Sequence, residues 1–531
     1  MKTPLLCVLA ALTSISLLAG CKGGGTVPRI PLGSMQDNNG HGSDVAGIAG
    51  AAGNNGVGFA GVAYAAPLMI FRVFPDPPAG VGCPPQSTDP NCEANVTDVA
   101  KTIDDAVKHG AAVINLSLGS APPEDPSEAA AVANAIANNV VVVAASGNDG
   151  ASTLDVPAAD AGVIAVGASG LRDPARGPIT EAVAGFSNYD STNASWGLVA
   201  PGGNATNTSD ADDLHWIDNI WTSTAADGSS TQACVADPSG TTLCRVFLAG
   251  TSQATPHVAG AAALLLSAGA APSNIKNLLC SSARPLNTMA AGCGRLDVYK
   301  AMALALGDSS VPRANSLVCG ISGNPQFVAR RSARAGAMRR TFAVWRKEPE
   351  NVPGVIEAVY DRASLRASRP QIFALATRIG AEVSSELDVP SKGETVAVLR
   401  VPPGQEEATI AQLRSSGLVH SAVRATYRHA LTTTAFMPND PLFGGTAPDN
   451  VPPLYESSGS EGQWDNHVIC AANAWGYGNA NSTGQTFSGA LGGNVPIAII
   501  DTGADLTNPE LAGRVTYAET VLNGKVTVDK I

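Results

Sequence analysis

The sequence predicts an α/β fold with a mostly parallel sheet that is covered by helices on both faces. Apolar runs of strand length alternate with helix-length segments in the first third of the chain, as expected for parallel strands buried on both sides. Only 15% of the residues are charged, whereas 56 are glycine and 36 are proline, a composition typical of a loop-rich exported protein. The 531 residues, 44% of them hydrophobic, suffice for two or more domains.

The elements of this sheet follow one another in chain order. The predicted strands are 68–73, 113–119, 140–145 and 163–166, and the predicted helices are 99–108, 129–137 and 273–281. In an open sheet of this kind, functional loops lie beyond the carboxyl ends of the strands. The segments that follow 113–119 and 140–145 are therefore candidates for a functional site.

A serine stands where a Gly-Thr turn meets an apolar run. Gly250 and Thr251 precede Ser252, and residues 261–266 are apolar, so the serine is expected at the start of a buried helix with its hydroxyl facing outward. Free amides at a helix start favour negative charge there. Pro256 is expected in the first turn, where a proline loses no hydrogen bond. Taken alone, Ser252 also fits an ordinary N-cap.

Two further polar residues stand at predicted chain turns. His41 lies between glycines, after the turn-rich segment 37–40 and before a segment of small residues. Asn148 follows the strand 140–145, where its side-chain amide could donate a hydrogen bond to an oxyanion. Taken one at a time, His41 also fits a surface or capping histidine and Asn148 an ordinary turn.

Together with the strand end at 117–119 and the tripeptide at 200–202, these motifs resemble those of the subtilisin-like serine proteases, and they occur in the family's order. The resemblance implies a subtilisin-like three-layer sandwich and hydrolysis of protein or peptide substrates through an acyl-enzyme. It implies that Ser252 is the nucleophile, His41 the general base and Asn148 an oxyanion-hole donor. The residues implied to bind the substrate as an extended strand are Ser117, Leu118, Gly119, Ala145, Ser146 and Gly147.

Three residues depart from the family pattern. Ser43 stands where threonine is usual, Asp44 where a second histidine is common, and Gln253 where methionine is usual. None of these changes removes a reacting group. An exposed Asp44 is expected to alter the basicity of His41 only slightly.

The carboxylate of a subtilisin-like triad normally precedes the histidine, but here the matching motif comes last. Asp501 follows the apolar strand 495–500 and opens an Asp-Thr-Gly turn. The favoured interpretation is a circular permutation, in which this strand docks beside those of residues 68–146 and the chain ends fall in one surface loop. In the alternative, the reading frame joins pieces that do not assemble, which leaves a catalytically impaired binding protein on a protease scaffold.

The resemblance also divides the chain. Residues 353–430 alternate between strand and helix patterns and resemble the ferredoxin-like α+β propeptide of subtilisin-like zymogens, which implies an intramolecular inhibitor and self-cleavage within 431–439. The expected divisions are a lipoprotein-type signal at 1–21, a linker at 22–35, the major peptidase segment with the His and Ser motifs at 36–307, a linker at 308–352, the propeptide-like domain at 353–430 and the segment carrying the Asp motif at 431–531.

The first residues have the pattern of an export signal. Lys2 precedes an apolar stretch at 5–18, and residues 18–21 resemble a bacterial lipobox that ends at Cys21. The resemblance implies lipidation of Cys21 and a periplasmic or cell-surface protein tethered to a membrane. An ordinary cleaved signal and a secreted protein are the alternative.

Cysteine usage favours disulfides over metal binding. Without Cys7 and Cys21, eight of the ten cysteines remain, an even number in a chain with an export signal. Proximity in sequence suggests the pairs Cys83 with Cys92, Cys234 with Cys244 and Cys280 with Cys293, which leaves Cys319 and Cys470 as a candidate long-range pair. No cofactor is expected, and calcium, which the family often binds, has no assignable ligands here. The formal net charge of −12 argues against nucleic-acid partners.

Overall fold

The structure is a computed structural model in which the described residues belong to one compact unit, Gly33–Ile531. It describes residues 35–53, 59–76, 93–172, 180–205, 215–222, 234–236, 242–309, 311, 351–361, 365–389, 393–430, 433–435, 464–471, 474 and 492–529. The predicted signal with Cys21, as well as Cys83, Cys92 and Cys319, lies outside these residues.

The helices and strands are numbered in chain order. The α-helices are α1 (His41–Gly50), α2 (Val96–Lys108), α3 (Pro126–Ala137), α4 (Thr251–Ser267), α5 (Ile275–Ser282), α6 (Val298–Ala305), α7 (Leu365–Arg378), α8 (Glu406–Ser415) and α9 (Trp464–Val468). The strands are β1 (Leu68–Arg72), β2 (Ala94–Asn95), β3 (Val113–Leu116), β4 (Leu118–Gly119), β5 (Val141–Ala145), β6 (Ile164–Arg172), β7 (Thr180–Val183), β8 (Gly197–Pro201), β9 (Ile217–Ile220), β10 (Cys234–Ala236), β11 (Thr242–Ala249), β12 (Asn351–Asp361), β13 (Glu382–Val389), β14 (Glu394–Arg400), β15 (Ser421–Ala430), β16 (Thr433–Ala435), β17 (Ile497–Asp501), β18 (Val515–Leu522) and β19 (Lys525–Val528).

A nine-stranded sheet forms the middle layer of the molecule. Its strand order is β19-β18-β1-β17-β3-β5-β6-β7, with β8 paired to β6, and all pairs are parallel except β18 with β19 and β6 with β7. The strand from near the end of the sequence lies inside this sheet, because Ile497 pairs with Leu68 on one side and with Val113 on the other.

Helices cover both faces of this sheet. Successive residues of β17 face opposite sides, so that Ile499 packs in the core that contains α1 and α4, and Ile500 in the core that contains α2 and α3. Fully buried apolar runs are what a parallel sheet between two helical layers requires. The predicted α/β class and three-layer sandwich are thus confirmed.

The second sheet has the order β13-β14-β12-β15 with antiparallel pairs, and the chain order β12-α7-β13-β14-α8-β15 is that of a ferredoxin-like α+β unit. β13 was not predicted from the sequence. Glu382, Ser384 and Ser385 of this edge strand are exposed, so it lacks the apolar signal that marks a buried strand. β15 continues beyond this sheet and pairs with β2 and β4.

Several predicted elements have different bounds. The predicted strand 113–119 is interrupted at Ser117, and β4 pairs with β15 instead of a strand of the central sheet. The predicted helix 273–281 begins as a 3-10 turn, Pro272–Asn274, before α5. Within the described ranges, no helix is long and apolar enough to span a bilayer.

Cysteine pairing is described in part. Cys280 and Cys293 are bonded to each other, which is the pair suggested by their spacing. Cys244 and Cys470 each take part in a disulfide bond of their own, and Cys234 lies opposite Cys244 in the antiparallel register of β10 and β11.

Candidate active site

A histidine and an aspartate meet at the carboxyl end of β17. His41 is the first residue of α1, and Asp501 is the last residue of β17. Nδ1 of His41 lies 2.6 Å from Oδ1 of Asp501, and both side chains are fully buried. The structure therefore brings together two predicted site residues that are 460 positions apart in the chain.

The turn after β17 fixes this carboxylate. The backbone N–H of Thr502 donates to Oδ1 of Asp501 at 2.7 Å, and the N–H of Gly42 donates to the Thr502 hydroxyl at 2.8 Å. A Cβ on Gly42 would lie 2.2 Å from the carbonyl oxygen of Gly503. Only a glycine lets the start of α1 approach the turn this closely.

Asp37 joins the same two segments and was missed by the sequence analysis. Its Oδ1 accepts hydrogen bonds from the N–H of Gly40 at 2.7 Å and from the Thr502 hydroxyl at 3.0 Å, and its Oδ2 accepts from the N–H of Ser43 at 2.8 Å. The Ser43 hydroxyl in turn accepts from the N–H of Asp505 at 2.9 Å. An aspartate before Asn-Asn-Gly is a recognisable turn signal, but its link to Thr502 depends on tertiary contact.

Opposing effects act on the pKa of the His41 imidazole. Burial lowers the pKa of His41, whereas the negative charge and hydrogen bond of Asp501, with smaller contributions from Asp44 and Asp37, raise it. The net result is a pKa above the ordinary value of 6.5. Nε2 of His41 is buried and has no hydrogen-bond partner within the described part of the chain.

Ser252 is the second residue of α4 and exchanges hydrogen bonds with Ser117. The Ser252 hydroxyl donates to the Ser117 carbonyl at 3.0 Å, and the Ser117 hydroxyl donates to the Ser252 carbonyl at 2.8 Å. Pro256, four residues further along α4, has no N–H to offer that carbonyl. The Ser117 hydroxyl thus replaces a missing helix hydrogen bond.

Two expectations about this helix were wrong. α4 begins at Thr251, so Pro256 lies in its second turn and interrupts the hydrogen-bond ladder. The Ser252 side chain is also fully buried and does not face solvent. Two strands pair next to the serine: His429 and Ala430 of β15 with Gly119 and Leu118, close to Ser117, and β16 with Phe247–Ala249, just before α4.

The Asn148 amide is oriented by the start of α4. Its Oδ1 accepts from the N–H and from the hydroxyl of Thr251, both at 2.8 Å. Its Nδ2 is buried with no hydrogen-bond partner among the described residues. Because a backbone N–H can only donate, the carbonyl end of the amide must face Thr251, and the free amide hydrogens are available to an oxyanion.

The loop that carries Asn148 is held in place by contacts with Asn188. Gly147 has φ +106°, and a Cβ there would lie 2.1 Å from Nδ2 of Asn188. Oδ1 of Asn188 accepts from the N–H groups of Asp149 at 2.9 Å and Ala151 at 2.8 Å. The tight packing requires glycine at position 147.

Of the two strand ends predicted to bind substrate, one is already paired with another strand of the protein. Leu118 and Gly119 pair with Ala430 and His429 of β15. Ala145 ends β5, and the hydroxyl of the following Ser146 donates to the Asn188 carbonyl at 2.9 Å. The first edge is thus occupied by a segment of the chain itself.

Asp44 is not exposed, contrary to expectation. Its side chain is fully buried in α1, and Nε2 of Gln253 donates to its Oδ2 at 2.9 Å. Burial raises the pKa of Asp44 to about 8. The sequence showed the change of residue type at both positions but not that the two side chains meet.

No group of three or more His, Cys, Asp or Glu residues that could hold a metal ion occurs within the described ranges. Calcium ligands thus stay unassigned.

Comparison with known proteins points to one family. Residues 31–307 match Peptidase_S8, the subtilase family. The chain is 35% identical over 268 residues to subtilisin BL of Lederbergia lenta, which covers 50% of this chain and 77% of that protein. The same identity and length hold for the alkaline protease of Shouchella clausii, of which 55% is covered. The solved structure of patellamide maturation protease PatA has 32% sequence identity, covers 42% of this chain and 72% of its own, and has a TM-score of 0.29.

Proposed function

The chain belongs to the subtilase family of serine endopeptidases, and on that premise we propose that Ser252, His41 and Asp501 form one catalytic triad. The observation that carries the proposal is the 2.6 Å contact between Nδ1 of His41 and Oδ1 of Asp501. A carboxylate at this position holds the imidazole in the tautomer whose Nε2 can accept a proton. The alternative of a non-catalytic binding protein depended on an undocked Asp501 and is not favoured.

The proposed reaction begins with a change of partner. The Ser252 hydroxyl exchanges its hydrogen bond to the Ser117 carbonyl for one to Nε2 of His41, which is unpartnered among the residues described. Its oxygen then attacks the scissile carbonyl carbon while its proton passes to Nε2. His41 returns that proton to the departing amine as the C–N bond breaks, and water releases the acyl group from Ser252 by the reverse sequence.

Asn148 is the proposed oxyanion donor. In the tetrahedral intermediate, the negative oxygen would accept hydrogen bonds from Nδ2 of Asn148 and from the N–H of Ser252. The support is the orientation of the amide, whose Oδ1 is held by Thr251 while Nδ2 stays free of described partners. A donor that is already oriented stabilises the developing charge without reorganisation.

The sequence order is proposed to be a circular permutation of the family order. The support is the register of β17, which pairs with β1 from Leu68 to Arg72 and with β3 from Val113 to Asn115. A strand inserted between two others contributes to the hydrogen-bond ladder on both sides, so residues 431–531 would complete the same peptidase body as residues 36–307.

Residues 353–430 are proposed to act as an inhibitor of this site. β15 pairs antiparallel with Gly119 and Leu118, the first of the proposed substrate-binding edges. A peptide substrate that added a strand to this edge would compete with β15 for the same backbone groups. Processing within 431–439 would be needed before a protein substrate can bind there.

Export is the remaining part of the proposal. The apolar segment at 5–18 and the lipobox-like residues that end at Cys21 support an exported protein, tethered by a lipid on Cys21. Incorporation of labelled palmitate into the parent but not into the Cys21→Ser variant would support the tether. Equal labelling of both would contradict it.

A serine-directed fluorophosphonate probe tests the proposed activity. The parent protein should be labelled, and Ser252→Ala should not, because the probe forms a covalent bond with an activated serine oxygen. Circular dichroism would establish that both proteins are folded. Absence of labelling in a folded and processed parent would refute the proposal.

A further inference from the structure

A buried asparagine lies behind the loop that carries Asn148 and takes no part in the mechanism described above. Asn188 belongs to the segment between β7 and β8, and its side chain is 1% exposed. Burial of a side-chain amide costs free energy unless its polar atoms find hydrogen-bond partners. The partners of Asn188 therefore indicate what this residue does.

The side chain of Asn188 binds the backbone that follows Asn148. Its Oδ1 accepts from the N–H of Asp149 at 2.9 Å and from the N–H of Ala151 at 2.8 Å. A backbone N–H can only donate, so these two contacts determine which end of the Asn188 amide is the oxygen. The Nδ2 end donates to Oδ1 of Asp155 at 3.2 Å.

The backbone of Asn188 binds the residues that precede Asn148. Its N–H donates to the Gly147 carbonyl at 3.0 Å, and its carbonyl accepts from the Ser146 hydroxyl at 2.9 Å. Each of the four polar atoms of Asn188 is thus hydrogen-bonded to the chain between residues 146 and 155. The loop is held on both sides of Asn148 by one residue from a distant segment.

Resting on the proposed oxyanion donor, we propose that Asn188 is a positioning residue for the reaction. It holds the backbone of the loop, so that Nδ2 of Asn148 stays where the negative oxygen of the tetrahedral intermediate forms. Asn188 acts on the reaction through Asn148 and does not itself bind the oxyanion.

The contacts of Asn148 with Thr251 do not make this role redundant. Thr251 donates to Oδ1 of Asn148 from its N–H and its hydroxyl, both at 2.8 Å, which fixes the rotation of the Asn148 amide. The position of that amide also depends on the backbone from which it extends. Oriented donors stabilise developing charge without reorganisation, and a displacement of about 1 Å can cost 10²-fold in rate.

Removal of the Asn188 side chain leaves part of this support in place. In Asn188→Ala, the N–H of Asp149 and the N–H of Ala151 lose their acceptor, whereas the backbone bonds to Gly147 and Ser146 can remain. The proposed substrate-binding edge at 145–147 is therefore retained, and the displacement falls on Asn148 and the residues after it. We expect a loss in kcat and little change in KM.

The test is a double-mutant cycle of Asn188→Ala and Asn148→Ala in the full chain after processing, with steady-state kinetics on a chromogenic peptide. Asn188→Ala alone should lower kcat by about 10- to 100-fold, with KM within a few fold of the parent. In the Asn148→Ala background, the same change should lower kcat less than about twofold, because no side-chain amide is left to displace.

A purely structural role would give a different result. Loss of folding free energy from Asn188→Ala would be present with or without the Asn148 amide, and urea unfolding of both pairs in the Ser252→Ala background measures it separately. Asn466→Ala is the matched control, because Asn466 is another buried asparagine, on α9, whose Nδ2 donates to the Ala60 carbonyl at 2.8 Å. Its kinetic constants should equal those of the parent.

The outcomes separate this proposal from the proposed function. A parent that the fluorophosphonate probe does not label refutes the triad, and an unchanged kcat in Asn148→Ala refutes the oxyanion donor together with the role of Asn188. If both hold, the role of Asn188 alone is refuted by an unchanged kcat in Asn188→Ala, by a loss that persists in the Asn148→Ala background, by a change in KM only, or by an equal loss in Asn466→Ala. If Asn188→Ala does not fold, Asn188→Ser leaves a smaller cavity and takes its place in the cycle, with the same outcomes.

Discussion

Asp501 and His41 are in contact at 2.6 Å although 460 positions separate them, and Asp501 comes after Ser252 in the chain. The contact depends on where β17 lies, between β1 and β3. Reacting groups need a common geometry and not a common sequence order, and serine triads are known in several orders.

Removal of the Asp501 carboxylate should strongly reduce kcat. Asp501→Ala is expected to lower kcat by roughly 10⁴, the size of the corresponding loss in subtilisin, with a much smaller change in KM. The physical reason is loss of the correct imidazole tautomer and of its stabilisation when protonated. Steady-state kinetics on a chromogenic peptide measures this, with Asp104→Asn as control, because Asp104 is a buried carboxyl on α2 that accepts from the Asn134 amide at 2.7 Å. A loss of less than tenfold would mean that Asp501 does not serve the reacting histidine.

Asn148 should act on the transition state more than on the substrate. Asn148→Ala is expected to reduce kcat by about 10²–10³, the range found for one oxyanion donor in subtilisin, while KM stays within a few fold. The variant removes Nδ2, which has no partner among the described residues, and it also removes Oδ1, which accepts a hydrogen bond from Thr251. Thr251→Val therefore serves as a control for the positioning effect. Equal losses in both variants would argue against oxyanion binding.

Self-cleavage should depend on Ser252. Mass spectrometry of the active protein is expected to show cleavage within 431–439, and Ser252→Ala should remain intact. β15 pairs with Leu118 and Gly119, next to Ser117, and β16 pairs with Phe247–Ala249, just before α4, so the chain on either side of the expected cleavage segment is close to the site. The fragments should co-elute in gel filtration, because β17 is paired on both sides within the central sheet. An active preparation that contains only intact chain would contradict this.

Release of the inhibitor-like domain should depend on pH. Oε2 of Glu357 in β12 accepts from the N–H of Ser127 at 2.9 Å, and its Oε1 accepts from the Ser127 hydroxyl at 2.6 Å. Burial, and then the nearby Asp125, raise the pKa of Glu357 well above 4.5. A raised pKa means that the contact is fully stable at acidic pH and weakens as the pH rises through the raised value.

The variant Glu357→Gln removes this titration. Fluorophosphonate labelling of the unprocessed parent should become faster as the pH rises above about 4.5, because residues 353–430 then dissociate from the site. The labelling rates are first corrected for the pH dependence of the processed enzyme. The variant should lack that acceleration. Identical profiles for both proteins would show that Glu357 does not control access.

The hydrogen bond from Ser117 to α4 can be tested by a double-mutant cycle. Ser117→Ala leaves the Ser252 carbonyl unpaired and should cost about 1–3 kcal/mol in the free energy of unfolding. Pro256→Ala restores an N–H in the helix, so the Ser117→Ala change should cost less in that background. Urea unfolding in the Ser252→Ala background avoids self-digestion. Additive effects would show that the hydroxyl does not replace the helix bond.

Most of what could be predicted about the site and the central sheet came from local sequence patterns. The turn before His41, the glycine before Asn148 and the Gly-Thr turn before Ser252 each require particular residue types in adjacent positions, and such signals survive any rearrangement of the chain. The strands were predictable for the same reason, since a strand buried on both faces is apolar throughout, as β17 and β3 are. The polar edge strand β13 lacks that pattern and was missed.

By itself, the sequence determined the α/β class, the family and the residue types that the chemistry requires, because these depend on short-range patterns. Tertiary structure decided that Asp501 reaches His41, that Asp44 is buried against Gln253, and that β15 occupies the edge at Leu118. Each of these is a contact between segments far apart in the chain. Burial and the electrostatics that follow from it are properties of the packed core, and no local pattern encodes them.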